Sequence, residues 1–158
     1  MYEQYLHRIQ SIADFLSKSP LAEQAVDFLS GHLSPRDEIA VVYRGTVDPD
    51  GLIRCENLVG FSKHEHMTRA TIQISDLRPL SLAARSQKIV WTTVDTVSGE
   101  FEDFIHFDSI TPWESMVAIP VGLARIYCMS FPSDLTSLDG IKNYCEAIQS
   151  LLRVYESS

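Results

Sequence analysis

His64-Glu65-His66 holds the densest potential chemistry in the chain. In an extended backbone, residues two apart point the same way, so His64 and His66 would present two imidazoles side by side. Two imidazoles are half of a zinc or iron site, and His106 or Asp108 would have to complete it. Histidine spacing of this kind is unspecific, and an exposed connector explains it without a metal. The expectation is therefore no metal site, with His64 alone reaching a ligand through a hydrogen bond.

Other routes to catalysis find little support. Cys55, Cys128 and Cys145 stand far apart, without a Cys-x-x-Cys pair, each in an apolar or amphipathic stretch. They read as buried, reduced thiols. No Gly-x-Ser-x-Gly elbow or glycine-rich phosphate loop is present, and the seven glycines are scattered. The acids Glu100, Glu102 and Asp103 sit together in a loop and read as solvated. The chain is thus expected not to be an enzyme, and no cofactor can be named. Phe61, Met67, Trp91, Phe104 and Trp113 are better material for a pocket, because small-molecule sites are mostly apolar with a few placed polar groups. The alternative for each is that it simply fills the core.

Charge and length narrow the class. A net charge of −8, with thirteen basic residues scattered singly, argues against direct nucleic-acid binding and against a membrane surface. The N-terminus lacks a basic segment followed by an apolar core, so a cytoplasmic location is expected. A single domain of 158 residues buries roughly 68–70% of its unfolded surface, enough for an unaided core.

The elements that must position these residues follow from periodicity. Tyr2, Tyr5, Ile9, Ile12 and Leu16 step by three and four along a first helix. A second helix should start with Ser19 as its cap and Pro20 at its first position, burying Leu21, Ala25, Phe28 and Leu29, so that helices occupy residues 2–32. Two β-rich runs, Glu38–Gly45 and Leu52–Phe61, flank the turn Asp48-Pro49-Asp50-Gly51 and predict a hairpin. In the second run, strict alternation would place Leu52, Arg54, Glu56 and Leu58 on one face and Ile53, Cys55, Asn57 and Val59 on the other.

A third strand is expected over Ala70–Ser75, a short helix over Leu80–Ser86 opened by Pro79, and a fourth strand at Ile89-Val90-Trp91. A connector, 95–112, follows; connectors of that length inside a domain are often functional. The run SMVAIPVGLARIYCMSF, residues 115–131, is too short and too interrupted to span a membrane. Pro120 would cost a helix about 3 kcal/mol or more, so the run reads as two strands, Trp113–Ile119 and Arg125–Phe131. Sheet and connectors then fill 38–131. A last helix, Leu135–Tyr155, carries Leu138, Ile141, Cys145, Ile148, Leu152 and Tyr155 on one stripe.

This order of elements resembles the GAF domain, a small-molecule sensory module of signalling proteins. Pro79 to Trp91 looks like that family's short helix leading into a strand. Trp113-Glu114-Ser115-Met116-Val117-Ala118-Ile119-Pro120-Val121 is similar to its penultimate strand, where a serine precedes an apolar run ending in proline. The Asn-Lys-Phe-Asp-Glu set of cyclic-nucleotide-binding members is not recognisable, and no Cys is followed by His as in bilin-binding members. The cysteines do not lie in the glycine-rich loops of sulfoxide-reducing members. The autoinducer-binding domain for acyl-homoserine lactones has a related architecture, with a helix leading to a strand ending in Trp. Its Asp-Pro pair is replaced here by Leu77-Arg78-Pro79-Leu80, and residues 38–75 hold only Tyr43 of its Trp and Tyr pattern.

The resemblance implies one α/β (α+β) domain over 1–158: a central, mainly antiparallel sheet of about six strands, terminal helices on one face, and connectors with a short helix over a pocket on the other. It implies a non-catalytic sensor that binds a small molecule at Phe61, His64, Met67, Trp91, Phe104 and Trp113. It also implies a homodimer through the terminal helices, as the sensory part of a bacterial transcriptional or signalling regulator. The alternatives are a lactone-type autoinducer domain and a pure dimerisation module without a ligand.

Overall fold

The computed structural model describes residues 2–60, 71–73, 79–93, 105–106 and 114–157. The order is α1 (Tyr2–Ser17), α2 (Ala22–His32), β1 (Val41–Val47), β2 (Leu52–Val59), β3 (Thr71–Gln73), α3 (Pro79–Ser86), β4 (Val90–Thr93), β5 (Ile105–His106), β6 (Ser115–Pro120), β7 (Arg125–Phe131) and α4 (Ile141–Glu156). One seven-stranded sheet runs β3-β2-β1-β7-β6-β4-β5. All pairings are antiparallel except β4 with β5. The expected α+β architecture is present, and the strand beyond the expected six is the two-residue β5, inside the predicted 95–112 connector.

The two hairpins form where turn chemistry placed them. Gly51 adopts φ 83°, closing the β1–β2 turn with its N–H on the Asp48 carbonyl at 2.9 Å. Between β6 and β7, Pro120 is the last residue of its strand, and the Val121 N–H reaches the Arg125 carbonyl at 2.8 Å.

The structure departs from the sequence expectation most at two helix starts and in the register of one strand. Ser19 does not cap α2: it takes a left-handed conformation, φ 53°, and its N–H closes on the Leu16 carbonyl at the end of α1. Pro20 and Leu21 then run extended, and α2 starts at Ala22 with the Gln24 side chain accepting from the Leu21 N–H at 3.1 Å. The last helix starts at Ile141 rather than Leu135. Residues Leu135–Ser137 form a separate 3-10 turn whose Thr136 N–H is met by the Asp134 side chain at 2.9 Å and whose Leu135 N–H is met by Ser115 Oγ at 3.1 Å. Gly140, at φ 80°, separates the two.

The third difference lies in β2. A bulge shifts the register so that Arg44 faces Asn57 while Gly45 faces Cys55. Ile53, Cys55 and Leu58 consequently share one face, and Val59 packs on the other. Strict alternation had paired Asn57 with Ile53 and Cys55; instead Asn57 accepts a hydrogen bond from Arg44 at 3.0 Å.

Both faces of the sheet are covered. Against one face pack α1, α2 and α4, around Val42, Trp91, Val117, Ile119, Tyr127, Met129 and Phe131. In α4 the stripe Ile141, Cys145, Ile148 and Leu152 is at most 5% exposed. Full burial of each such aliphatic side chain stabilises by about 1.5–3 kcal/mol. Tyrosine hydroxyls tie these helices to the loops: Tyr144 donates to the Leu33 carbonyl at 2.6 Å and Tyr155 to the Pro20 carbonyl at 2.7 Å. The other face carries α3 over Tyr43, Ile53, Val90, Ala118, Ile126 and Cys128.

The end of α4 is pinned to the middle of the sheet. Glu156 takes a two-pronged contact from Arg44, at 2.8 and 2.9 Å, and a hydrogen bond from the Tyr127 hydroxyl at 2.6 Å. Arg125 stands 3.5 Å away. Burial alone would raise the Glu156 pKa, but the hydrogen bonds from Arg44 and Tyr127 and the two guanidinium charges outweigh it and hold the carboxyl below its ordinary value. A depressed carboxyl contributes stability that is present at neutral pH and is lost as pH falls through the folded-state pKa. Wild-type stability, measured by urea unfolding, should therefore fall below about pH 4 more steeply than that of Glu156→Gln. At pH 7, Arg44→Ala should cost about 3 kcal/mol by the same measurement, because it strands a half-enclosed carboxylate.

Candidate functional site

The α3 side of the sheet has the composition of a ligand floor. Strand register builds it in rows: Leu58, Tyr43, Cys128, Ala118 and Val90 lie side by side across β2, β1, β7, β6 and β4. Beside that row run Cys55, Gly45, Ile126 and Pro120. On the other flank lie Val41, Ser130, Met116 and Thr92, next to Ile105 of β5. Among the described residues, none of these carries a charge at neutral pH. Leu80, Ala83 and Ala84 of α3 roof part of the floor.

Tyr43 is the polar group at the centre. It is 2% exposed, yet its hydroxyl has no hydrogen-bond partner among the described residues. The ring lies along its own strand over Gly45. A Cβ on Gly45 would meet Tyr43 Cε1 at 2.7 Å and the hydroxyl at 3.1 Å, so only glycine leaves room for the ring. Burial, with smaller contributions from Cys55, Cys128 and Glu56, pushes the phenol pKa upward, so Tyr43 stays protonated and keeps its proton to donate. Thr92 carries a second buried hydroxyl without a partner. It is three strands from Tyr43, about 14 Å at the usual strand spacing. Unpaired buried hydroxyls of this kind are uncommon in folded proteins and require an explanation.

Burial holds the three thiols protonated. Burial pushes Cys128 up to about 12 and raises Cys145 as well. Cys55 is also raised, by burial and then by Glu56. Thiols held protonated are weak nucleophiles and weak metal ligands. Among the described residues, no three His, Cys, Asp or Glu side chains cluster as a metal site.

Of the residues expected to line the pocket, Phe61, His64, Met67, Phe104 and Trp113 lie outside the described residues, as does His66. Trp91 is described, and it sits in the core beneath the terminal helices, not with the α3 group. Alternation along β4 decides this: Val90 points to α3, so its neighbour Trp91 points the opposite way. The sequence reading did not single out Tyr43, Gly45, Cys55 or Cys128 as a group. The available signal was a lone tyrosine two residues before a strand glycine.

A concavity of about 710 Å³ lies on the outer surface of α1 and α2. Phe15, Phe28 and His32 line it, stacked on each other with ring centroids 4.1 and 3.9 Å apart. It is open to water and bordered by the exposed Lys18 and Asp27.

No family model matches the sequence, and no curated protein matches it either. Solved structures do match in fold. The nlh2 GAF domain of A. aeolicus, in an inactive state, aligns over 99% of this chain and 97% of its own, with TM-score 0.69 and 11% identity. The fRMsr of Staphylococcus aureus, in its reduced form, aligns over 96% and 94%, with TM-score 0.68 and 13% identity. A phycoerythrobilin-bound GAF domain from a cyanobacterial phytochrome aligns over 98% and 95%, with TM-score 0.64 and 12% identity.

Tyr43→Phe deletes a buried, unpaired hydroxyl at constant shape. It should raise the unligated protein's stability by about 1 kcal/mol. Gly45→Ala should do the opposite, lowering it by about 2 kcal/mol through overpacking against the ring. Paired urea melts of the two variants against wild type check both signs.

Proposed function

From the GAF-like fold of this chain, we propose that the domain is a non-catalytic sensor whose ligand sits on the α3 side of the sheet. The observation that carries this is the Tyr43 hydroxyl, fully enclosed on an apolar floor and unpaired in the unligated chain. A protein that keeps such a group accepts a stability loss, and a ligand acceptor offsets it on binding. In this reading the connectors 61–70 and 94–113 close over the ligand, with Phe61, His64, Met67, Phe104 and Trp113 as their contributions. The phytochrome relative, bound to phycoerythrobilin, supports ligand binding by this fold. Support for a non-catalytic role comes from the raised thiol pKa values, since these cysteines stay protonated at neutral pH.

The output route is through the terminal helices. β1 and β7 carry Tyr43 and Cys128 on the ligand face and Arg44 and Tyr127 on the opposite face. The latter two grip Glu156 at the end of α4. A ligand that shifts β1 against β7 would change that grip and bias α4. Leu6 on α1 and Val154 on α4 are exposed by 55% and 70%, and they are the apolar positions through which a second copy would dock. The sensor then works as a homodimer within a bacterial transcriptional or signalling regulator.

A thermal-shift screen against metabolites and lactones should raise the melting midpoint for at least one compound. At a hundred times Kd the stabilisation is about 2.7 kcal/mol. Were no compound to shift the midpoint, with the midpoint rising instead with protein concentration, the domain would be a dimerisation module. Sedimentation equilibrium on Leu6→Asp and Val154→Asp should show weakened self-association with the melting profile of dilute protein unchanged.

A further inference from the structure

We infer that the part of the ligand seated on the Tyr43 floor is uncharged and presents a hydrogen-bond acceptor to the Tyr43 hydroxyl. This deepens the sensor reading and rests on it. The floor around Tyr43 is made by Leu58, Cys55, Ile53, Ile126 and Cys128, and Leu80 of α3 belongs to the same apolar cluster. None of these side chains is charged at neutral pH, and the thiols stay protonated because burial raises them.

The described charges on the same strands already have partners: Glu56, whose charge reaches Tyr43, is exposed and accepts from Thr46 Oγ1 at 2.9 Å. Arg44 and Arg125 lie on the opposite face, both against Glu156. Arg54 is paired with Asp48 at the hairpin turn. A carboxylate, phosphate or ammonium placed on this floor would lose its water without meeting a counter-charge, which is strongly unfavourable. A neutral carbonyl or ether oxygen loses less, and it recovers the loss by accepting from Tyr43. The geometry therefore selects by charge before it selects by shape. Amides, lactones, quinones and neutral heterocycles fit this floor; nucleotides and free carboxylic acids do not.

The test uses a matched set of probes on the full chain: benzamide, phenylacetamide, benzoate and benzylammonium, followed by amide chemical-shift titration. The expected result is saturable perturbation at Tyr43, Cys55 and Cys128 by a neutral amide. Benzoate and benzylammonium should bind at least about ten-fold more weakly, and Tyr43→Phe should weaken the amide about ten-fold. Since Tyr43→Phe is expected to melt no lower than wild type, lost binding in it cannot be lost folding.

Equal or tighter binding of either charged probe at the same amides overturns the inference and leaves the sensor reading standing. Unchanged amide affinity in Tyr43→Phe overturns the assigned hydrogen bond. No saturable change with any probe overturns the inference outright. If the metabolite and lactone screen also shifts nothing, the sensor reading falls with it.

Discussion

Two central strands buried on both sides set the rest of this structure. Along β1 and β7, successive side chains point alternately into the core beneath the terminal helices and onto the floor under α3. A strand flanked on both faces has no solvent side, so every residue must satisfy one of two different environments. Val42, Tyr127, Met129 and Phe131 meet helices, while Tyr43, Ile126 and Cys128 meet the floor. A one-residue slip in either strand would exchange the two sets, placing Tyr127 on the floor and breaking its bond to Glu156.

That constraint also explains where polar groups are tolerated. On the helix side, Arg44 is enclosed with Glu156 and Asn57 accepting its hydrogen bonds, while Tyr127 donates to the same Glu156 carboxylate. The ion pair is specific in geometry, and it fixes the end of α4 over one point of the sheet. On the floor side no comparable partner waits for the Tyr43 hydroxyl. At this point of the sheet the two faces differ: Arg44 and Tyr127 both meet Glu156 on one, and the Tyr43 hydroxyl keeps a donor to use on the other. A residue step of one along β1 separates them, which places any ligand contact next to the helix anchor.

Much of the fold was legible in the sequence. The four helices and both hairpins follow from apolar periodicity and from Pro and Gly punctuation, which are local properties, whereas the division of terminal helices from α3 came from the resemblance. Legibility failed where two elements compete for the same residues. Ser19 had a suitable side chain for a cap, but closing α1 required it in a left-handed conformation. In β2 the bulge displaced Asn57 because Arg44 needed a partner on the helix face. The candidate site was less legible than the fold. Aromatics were weighed by type and by nearness to connectors, whereas membership of the floor depends on strand parity. Parity moved Trp91 to the helix core and brought Tyr43, Cys55 and Cys128 together from three strands.

By itself the sequence determined that this chain makes an α+β domain with amphipathic helices at both ends, because helix and strand periods are written in neighbouring residues. It also determined that SMVAIPVGLARIYCMSF folds back as two strands, since Pro120 cannot donate to a continuing ladder or helix. Only the tertiary structure decided which face each strand residue meets. Alternation divides residues into two sets without saying which set is which, and that choice is made by what packs against the sheet. The unpaired Tyr43 hydroxyl is such a case. Gly45 beneath its ring is a near neighbour in the chain, but Leu58 of β2 and Cys128 of β7 come beside it only through strand pairing.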